Sequence, residues 1–464
     1  MLKKIAIGLL VCFTISSCQD DLDDVITPAS TLEINDFIWK AMNAFYLYKP
    51  DSPNLADDSF TTNEAYANYL NSFATPEGLF NDLLAQQDRF SIIVDNYVDL
   101  ENSLDGINFT TGMQFGLVNI SDSNSVFGFV RYVVPNSPAS EAGIERGMLF
   151  NRVNGETLTP NTNFNSLFGG NNYTIGLAEF DGTELSSLST EISLSKIQLT
   201  ENPIYSVEVI EVDNTKVGYL MYNAFRSNFD SQLNTVFANF KSENIDELIL
   251  DLRYNSGGSI ETAKDLASMV TGQFEGEIFA FEHYNDNFND EELRFDNQIR
   301  TGANINSLNL NRVYILTGFS TASASELVIN ALKPYINVVQ IGQTTVGKFE
   351  GSVTLYDSAN FRRDGASINH FYAIQPLILK TANANGVTDY FEGLAPDITL
   401  NEDYTNLGVI GNQNEPLLNR ALEEMGLDLT EGKPSMPLFQ RSSELLFENQ
   451  SLQPTYQRMY IEKN

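Results

Sequence analysis

Residues 313–332 pass within a few positions from a strand pattern to a helix pattern, and the change falls on a run of small hydroxylated residues. Val313-Tyr314-Ile315-Leu316 is a short apolar run with a β-branched start, the pattern of a buried strand. Ala324, Leu327, Val328, Ala331 and Leu332 then recur at i, i+3, i+4, i+7 and i+8, which is one face of a helix, and Pro334 can end it. Between the two lies Ser320-Thr321-Ala322-Ser323-Ala324-Ser325-Glu326. Ser323 is therefore placed on a strand-to-helix turn, where backbone N–H groups are unpaired and the helix dipole favours negative charge. A hydroxyl there can attack a carbonyl, and the N–H of Ala324 can hold the oxyanion that forms. An earlier stretch has the same grammar. Leu248-Ile249-Leu250-Asp251-Leu252 reads as a buried strand, the following Gly257-Gly258 as a tight turn, and Ser259 as the start of a helix with Ile260, Ala263, Ala267 and Val270 apolar.

A serine nucleophile needs a base. The chain has two histidines, His283 and His370, and neither has an obvious carboxylate partner in its local sequence. A Ser-His-Asp triad is defined by geometry and not by order, so that route stays open. A neutral lysine is the other base of this kind, and Lys348 lies 25 residues after Ser323. The run Val338-Val339-Gln340-Ile341-Gly342 reads as a strand, and the turn ending in Gly347 delivers the lysine. To act near neutral pH its pKa must fall from ~10.4 to about 7, roughly 4.6 kcal/mol at 1.36 per unit. The acidic chain opposes that shift, so close desolvation beside the serine has to supply it.

The two segments resemble the carboxyl-terminal processing, or tail-specific, serine peptidases, which use a Ser-Lys dyad. Ala322-Ser323-Ala324-Ser325-Glu326 and Val346-Gly347-Lys348-Phe349 stand at that family's separation. The resemblance makes Ser323 the nucleophile and Lys348 the base, with Ala324 and either Gly257 or Gly258 as oxyanion donors. Leu248–Gly258 resembles the family's strand and Gly-Gly turn, Gly218-Tyr219-Leu220 the strand that opens its core, and Gly393-Leu394-Ala395-Pro396-Asp397-Ile398 a block near its end. Together these cover roughly residues 215–425. The pattern departs at three points. Where the family often has a glutamine four places after the lysine, or an acid in the helix after the serine, this chain has Ser352 and Pro334, and the glycine after the lysine is Phe349. The group orienting Lys348 is thus left open.

Residues ~104–200 resemble a PDZ domain, which captures C-terminal carboxylates by adding a peptide to a sheet edge. Gln114-Phe115-Gly116-Leu117 is similar to the carboxylate-binding loop, and Ser137–Ile144 with Gly147–Phe150 to the helix and strand that follow it. At the N-terminus, Lys3 and Lys4 precede an apolar run from Ile5 to Ile15, too short to span a bilayer and typical of a signal peptide. Ile15-Ser16-Ser17-Cys18 resembles a bacterial lipoprotein cleavage site with Cys18 lipidated. The acidic run after it, Gln19–Asp24, reads either as a Bacteroidota surface-export signal or as a solvated linker.

The resulting division is 1–17 signal peptide, 18–30 acidic tether, 31–103 helical cap, 104–200 PDZ-like domain, 201–432 peptidase core and 433–464 polar C-terminal tail. The fold class expected is mixed α/β, with a ββα-superhelix core of the crotonase or ClpP kind. Residues 275–312, acidic and Asn-rich, read as an insertion or flexible hairpin over the site. The formal charge is −34, and removing residues 1–17 takes away two lysines and no acid. That balance argues against nucleic acid as a partner. Two histidines and no spare cysteine argue against a transition-metal site, and no cofactor is expected. The expected function is a serine endopeptidase lipid-anchored in the cell envelope, at the outer membrane, acting on polypeptides with unstructured C-terminal tails. Two alternatives stand beside it: an inactive PDZ-containing envelope scaffold that binds C-termini, and an acyl hydrolase of small esters.

Overall fold

The computed structural model describes residues 28–120, 124–181, 184–404, 406–427 and 443–462. The expected signal peptide, Cys18 and the acidic run after it lie outside the described residues.

Two strand–turn–helix units form the centre of the molecule. A six-stranded sheet runs in the order Ile204–Val212, Thr215–Tyr222, Glu247–Asp251, Arg312–Thr317, Asn337–Gly342, Ile398–Thr399. Its first pair is antiparallel and the rest are parallel. The inner strands are covered on both faces, which is why they read as unbroken apolar runs and not as alternations. Leu250 and Ile315 face one hydrophobic cluster while Ile249 and Tyr314 face another. The helix Ala324–Leu332 follows the fourth strand, and every one of its residues is buried.

The helix Ile260–Thr271 follows the third strand. Ser259 caps it, with the Thr262 N–H donating to Ser259 Oγ at 3.2 Å. The sequence marks one apolar face, yet all its residues except Glu261 are buried. Asp265 is among them, fully buried, and neither carboxylate oxygen has a hydrogen-bond partner among the described residues. Burial pushes this carboxyl up to about 8, Glu261, Asp230 and Asp296 add to the rise, and Lys264 opposes it. A carboxyl raised on folding contributes stability that is complete below its unfolded pKa and lost as pH rises through the folded one. Wild type is therefore expected to lose stability from pH 6 to pH 9 partly through Asp265. In Asp265→Asn the difference in melting temperature between those two pH values should shrink, by an amount worth a few kcal/mol; an unchanged difference would refute the assignment.

A second six-stranded sheet contains Gly258–Ser259, Met459–Tyr460, Glu350–Ser352, Leu377–Ala382, Ile278–Tyr284 and Glu291–Arg294, in that order. Residues 275–312 contain the expected hairpin, Ile278–Tyr284 with Glu291–Arg294, and it is built into this sheet. Ile278–Tyr284 pairs with Leu377–Ala382, and Phe279, Ala280, Phe295 and Ile299 are buried in the main core. The polar composition hid the few apolar residues that anchor this hairpin.

The N-terminal segment is helical as its aromatic spacing implies, with helices Thr31–Phe45, Asn63–Asn71, Pro76–Leu83 and Tyr97–Leu104. Ser30 and Glu33 close the first helix reciprocally. Phe37, Ile38, Met42, Leu79 and Phe80 share one cluster with the helices of the central sheet, so the N-terminal helices are packed onto it. The strand Ile92–Val94 pairs with Ala373–Gln375.

Residues 113–195 form a separate antiparallel sheet. Its order is Ser443–Glu448, Met113–Ile120, Val126–Val133, Leu149–Val153, Asn172–Phe180, Leu185–Ser195, with Glu156–Thr157 paired to Leu149–Val153. The first of these strands comes from the far end of the chain, which corrects the reading of residues 433–464 as a polar tail. The described part of it, 443–462, is a two-strand strap: Ser443–Glu448 closes the edge of this sheet, and Met459–Tyr460 lies between Gly258–Ser259 and Ser352.

Candidate active site

Ser323 sits between the strand Arg312–Thr317 and the helix Ala324–Leu332 with φ +66° and ψ −117°. Positive φ is strained for a residue with a Cβ and persists only where the surroundings over-determine it. They do so here. The Thr321 hydroxyl donates to Leu252 O at 2.8 Å, the Ala322 N–H to Asn255 O at 3.1 Å, and the Ser325 hydroxyl to the same oxygen at 3.2 Å. These bonds tie the serine turn to the Gly-Gly turn. At Gly257, φ is +110°, and a Cβ would stand 2.6 Å from Ser323 Cβ and 2.5 Å from Arg458 O. Only glycine fits at that approach.

Glu326 joins the serine turn to the lysine loop. Its buried carboxylate accepts from the Ser323 N–H at 2.7 Å, the Thr345 hydroxyl at 2.5 Å, the Gly347 N–H at 2.7 Å and the Lys348 N–H at 2.9 Å. Burial raises its pKa and these four donors hold the rise back. The Val346 N–H donates to Thr321 O at 3.0 Å. One carboxylate therefore sets the relative position of Ser323 and Lys348.

Lys348 is fully buried. Its Nζ donates to Glu350 O at 3.0 Å and lies 4.7 Å from the centre of the Phe90 ring. Its pKa is lowered to about 7, first by desolvation and then by the nearby positive charge of Arg458, while Glu350, Asp88 and Glu326 oppose. Arg458 is itself buried, with its Nε on Pro454 O at 3.1 Å and its Nη1 without a partner among the described residues. Ser323 Oγ likewise makes no hydrogen bond among the described residues. The two candidate groups are thus clamped on adjoining turns without a Ser323–Lys348 hydrogen bond, an arrangement known for catalytic pairs that tighten only when substrate is bound.

Of the two glycines, Gly257 stands against Ser323, whereas a Cβ on Gly258 would point at Phe225 O. The Gly257 N–H donates to Asn255 Oδ1 at 2.9 Å, so it is already engaged. Ala324 opens its helix, and its N–H has no intrahelical acceptor. Gln114, Phe115, Gly116 and Leu117 lie on the strand Met113–Ile120 and not in a free loop, with Phe115 and Leu117 in the core of the antiparallel sheet. A cleft runs from Gln114 and Asn449 to Gly257 and Gly258, with Arg226 and Tyr460 on its walls.

The histidines stand elsewhere. His283 Nδ1 pairs with Asp290 at 2.8 Å, and His370 Nε2 with Asp357 at 3.0 Å. Both therefore have carboxylate partners, seven and thirteen residues away, contrary to the sequence reading. Neither is hydrogen-bonded to Ser323. Glu326, Asn255, Phe90 and Arg458 escaped that reading. Glu326 alone carried a local signal, as the third residue after Ser323. Asn255 also lies within Leu248–Gly258, but its side-chain bond to the Gly257 N–H is a matter of turn geometry.

Residues 216–399 match the model of peptidase family S41, and residues 33–92 that of the peptidase S41 N-terminal domain. The chain belongs to peptidase family S41. The chain is 23% identical over 364 residues to the carboxy-terminal processing protease CtpB of Bacillus subtilis, covering 74% of this chain and 66% of that protein. It is 25% identical over 260 residues to the chloroplastic carboxyl-terminal-processing peptidase 2 of Arabidopsis thaliana, covering 54% and 48%. This S41 chain thus spans about half to two thirds of the length of those relatives. A crystal structure of a Bacteroides fragilis protein assigned to the S41 proteases superposes with a TM-score of 0.64 at 29% identity, covering 84% of this chain and 96% of that one.

Proposed function

We propose that this S41 member is a serine endopeptidase in which Ser323 is the nucleophile and Lys348 its base. The observation that carries the reading is a lysine fully buried, with its pKa brought to about 7, held by one glutamate beside a serine on a strained turn. Neutral Lys348 leaves Glu350 O and takes the Ser323 proton as Oγ adds to the peptide carbonyl. The oxyanion is held by the Ala324 N–H and by that of Gly257 or Gly258. The protonated lysine then gives its proton to the departing amine. Water, deprotonated by the same lysine, resolves the acyl-enzyme.

The antiparallel sheet of residues 113–195 is read as a PDZ-like domain that recognises polypeptide C-termini, and the core as the ββα-superhelix type. The N-terminal motif adds a lipid anchor at Cys18 and a place in the cell envelope. These readings rest on sequence resemblance, the PDZ-like one also on the antiparallel strand that Met113–Ile120 accepts beside it.

The test is a fluorophosphonate reagent applied to the full chain while it degrades an unfolded polypeptide with an apolar C-terminus. A single adduct at Ser323, mapped by peptide mass, should stop cleavage in proportion to labelling. Cleavage that survives full labelling, or an adduct elsewhere, would refute the assignment. Hydrolysis of small esters without any polypeptide cleavage would point to the ester-hydrolase alternative.

A further inference from the structure

The outer edge of the Met113–Ile120 strand already holds a peptide. The chain's own Ser443–Glu448 pairs with it antiparallel, with Glu448 opposite Gly116, Phe447 opposite Leu117 and Leu445 opposite Val118. Phe447 fills an aromatic pocket, its ring stacked on Phe168 at 5.7 Å and within 5.6 Å of Phe164 and 6.3 Å of Phe115. Asn449 follows. Its Oδ1 accepts from the Phe115 N–H at 2.7 Å, and its Nδ2 donates to Gln114 Oε1 at 2.8 Å. A chain that ended at this point would bring a terminal carboxylate to the N–H that the side-chain oxygen now occupies. Strand, aromatic pocket and N–H together are the elements of a strand-addition site for a C-terminus.

The same strap reaches the serine turn. Glu448 pairs with Arg131 at 2.8 Å and accepts from the Ser320 hydroxyl, while Arg131 also donates to Ser320 Oγ at 3.0 Å. All three are buried, and Ser320 lies three residues before Ser323. Ten residues on from Glu448, Arg458 O abuts Gly257, and Met459–Tyr460 pairs with Gly258–Ser259. Removing Ser443–Glu448 from the sheet edge would therefore break the Glu448 contacts to Arg131 and Ser320, which lies in the turn that carries the buried Ser323.

We propose that the Met113–Ile120 edge is an exchangeable peptide site, held at rest by Ser443–Asn449 and taken over by the free C-terminus of a polypeptide with an aromatic residue two places before its end. The coupling of that exchange to Ser323 rests on the peptidase reading; the exchange itself does not. An incoming tail competes with a tethered strand, whose effective concentration is in the millimolar range, so wild type binds such tails weakly.

The probe is a fluorescent synthetic peptide of residues 443–449 ending in a free carboxylate, with its amidated form as control. Three full chains are compared: wild type, Phe447→Ala/Asn449→Ala with the resident strand weakened, and Val118→Cys/Leu445→Cys with that strand tied by a disulfide. The free-acid peptide should bind the weakened chain about 10-fold or more tightly than wild type. It should lose affinity on amidation and should bind the tied chain only after reduction. Fluorophosphonate labelling of Ser323 should be fastest in the weakened chain and slowest in the tied one. If the weakened chain, shown folded by its thermal transition, binds no better than wild type, the strap is a fixed part of the fold and the proposal falls. Ser323 labelling at one rate in all three would then leave the peptidase reading standing. Peptide exchange without labelling in any form would leave the site standing and remove the peptidase reading.

Discussion

Lys348→Met is expected to abolish peptidase activity and to make the protein more stable. The activity loss should be a factor of about 10^4 or more, and adding Ser323→Ala should lose little further, because a nucleophile and its base act as a unit. In wild type, kcat/KM should fall about tenfold per pH unit below the lysine's pKa and level off above it, at about 7. The stability side has the opposite sign. A lysine whose pKa is lowered on folding contributes stability that is present above its unfolded pKa and lost as pH falls through the folded one. The drop from 10.5 to about 7 corresponds to a destabilisation with an upper bound of roughly 5 kcal/mol at low pH. Methionine keeps the chain length and removes the charge. Its gain in melting temperature should thus be largest at pH 7 and below, and should fade toward pH 10. A variant that is inactive but less stable at both pH values would mean that Lys348 is held by its contacts and not strained by its burial.

Local pattern carried much of this into the sequence. Ser323 on its turn, the tight turn at Gly257-Gly258 and the Ser259 helix start all follow from local residue pattern, whereas the close approach of Gly257 to Ser323 is set by tertiary packing. Lys348 was legible as a candidate, but the source of its low pKa was not. Phe90 comes from the cap and Arg458 from the strap, each more than a hundred residues away in sequence, and no spacing rule links them. Glu326 was visible as a residue and hidden as a device, since its four donors come from two turns that only tertiary packing brings together. The strap misled for a different reason. Its two strands are marked only by Leu445, Leu446 and Phe447 and by Met459, Tyr460 and Ile461, two short runs in a polar context. Short strands added to existing sheets, one at an edge and one between two other strands, need no more than that.

Arg253→Ala should be the most damaging single change outside the reacting groups. The guanidinium is fully buried and contacts Asp251 at 2.7 Å and Glu415 at 2.6 Å and 3.0 Å, with Glu402 at 3.3 Å. The Tyr219 hydroxyl donates to Asp251 at 2.7 Å, and Arg146 supplies a second cation to Glu402 at 3.1 Å. Removing Arg253 leaves Asp251 and Glu415 buried with too little positive charge, a change of about 3–5 kcal/mol in comparable buried pairs. That is a large share of the ~5–15 kcal/mol that holds a folded domain together. Activity should fall further than stability explains. Arg253 lies two residues before Asn255, which positions both the Gly257 N–H and the Ala322 N–H, so slack in this ion cluster reaches the serine turn through two hydrogen bonds. Arg253→Lys keeps one charge but not the fork that meets Glu415 with two parallel bonds, and should recover part of the stability and little of the activity. If Arg253→Ala unfolds at the wild-type denaturant concentration at pH 8, the cluster contributes nothing to stability and the turn is held from elsewhere.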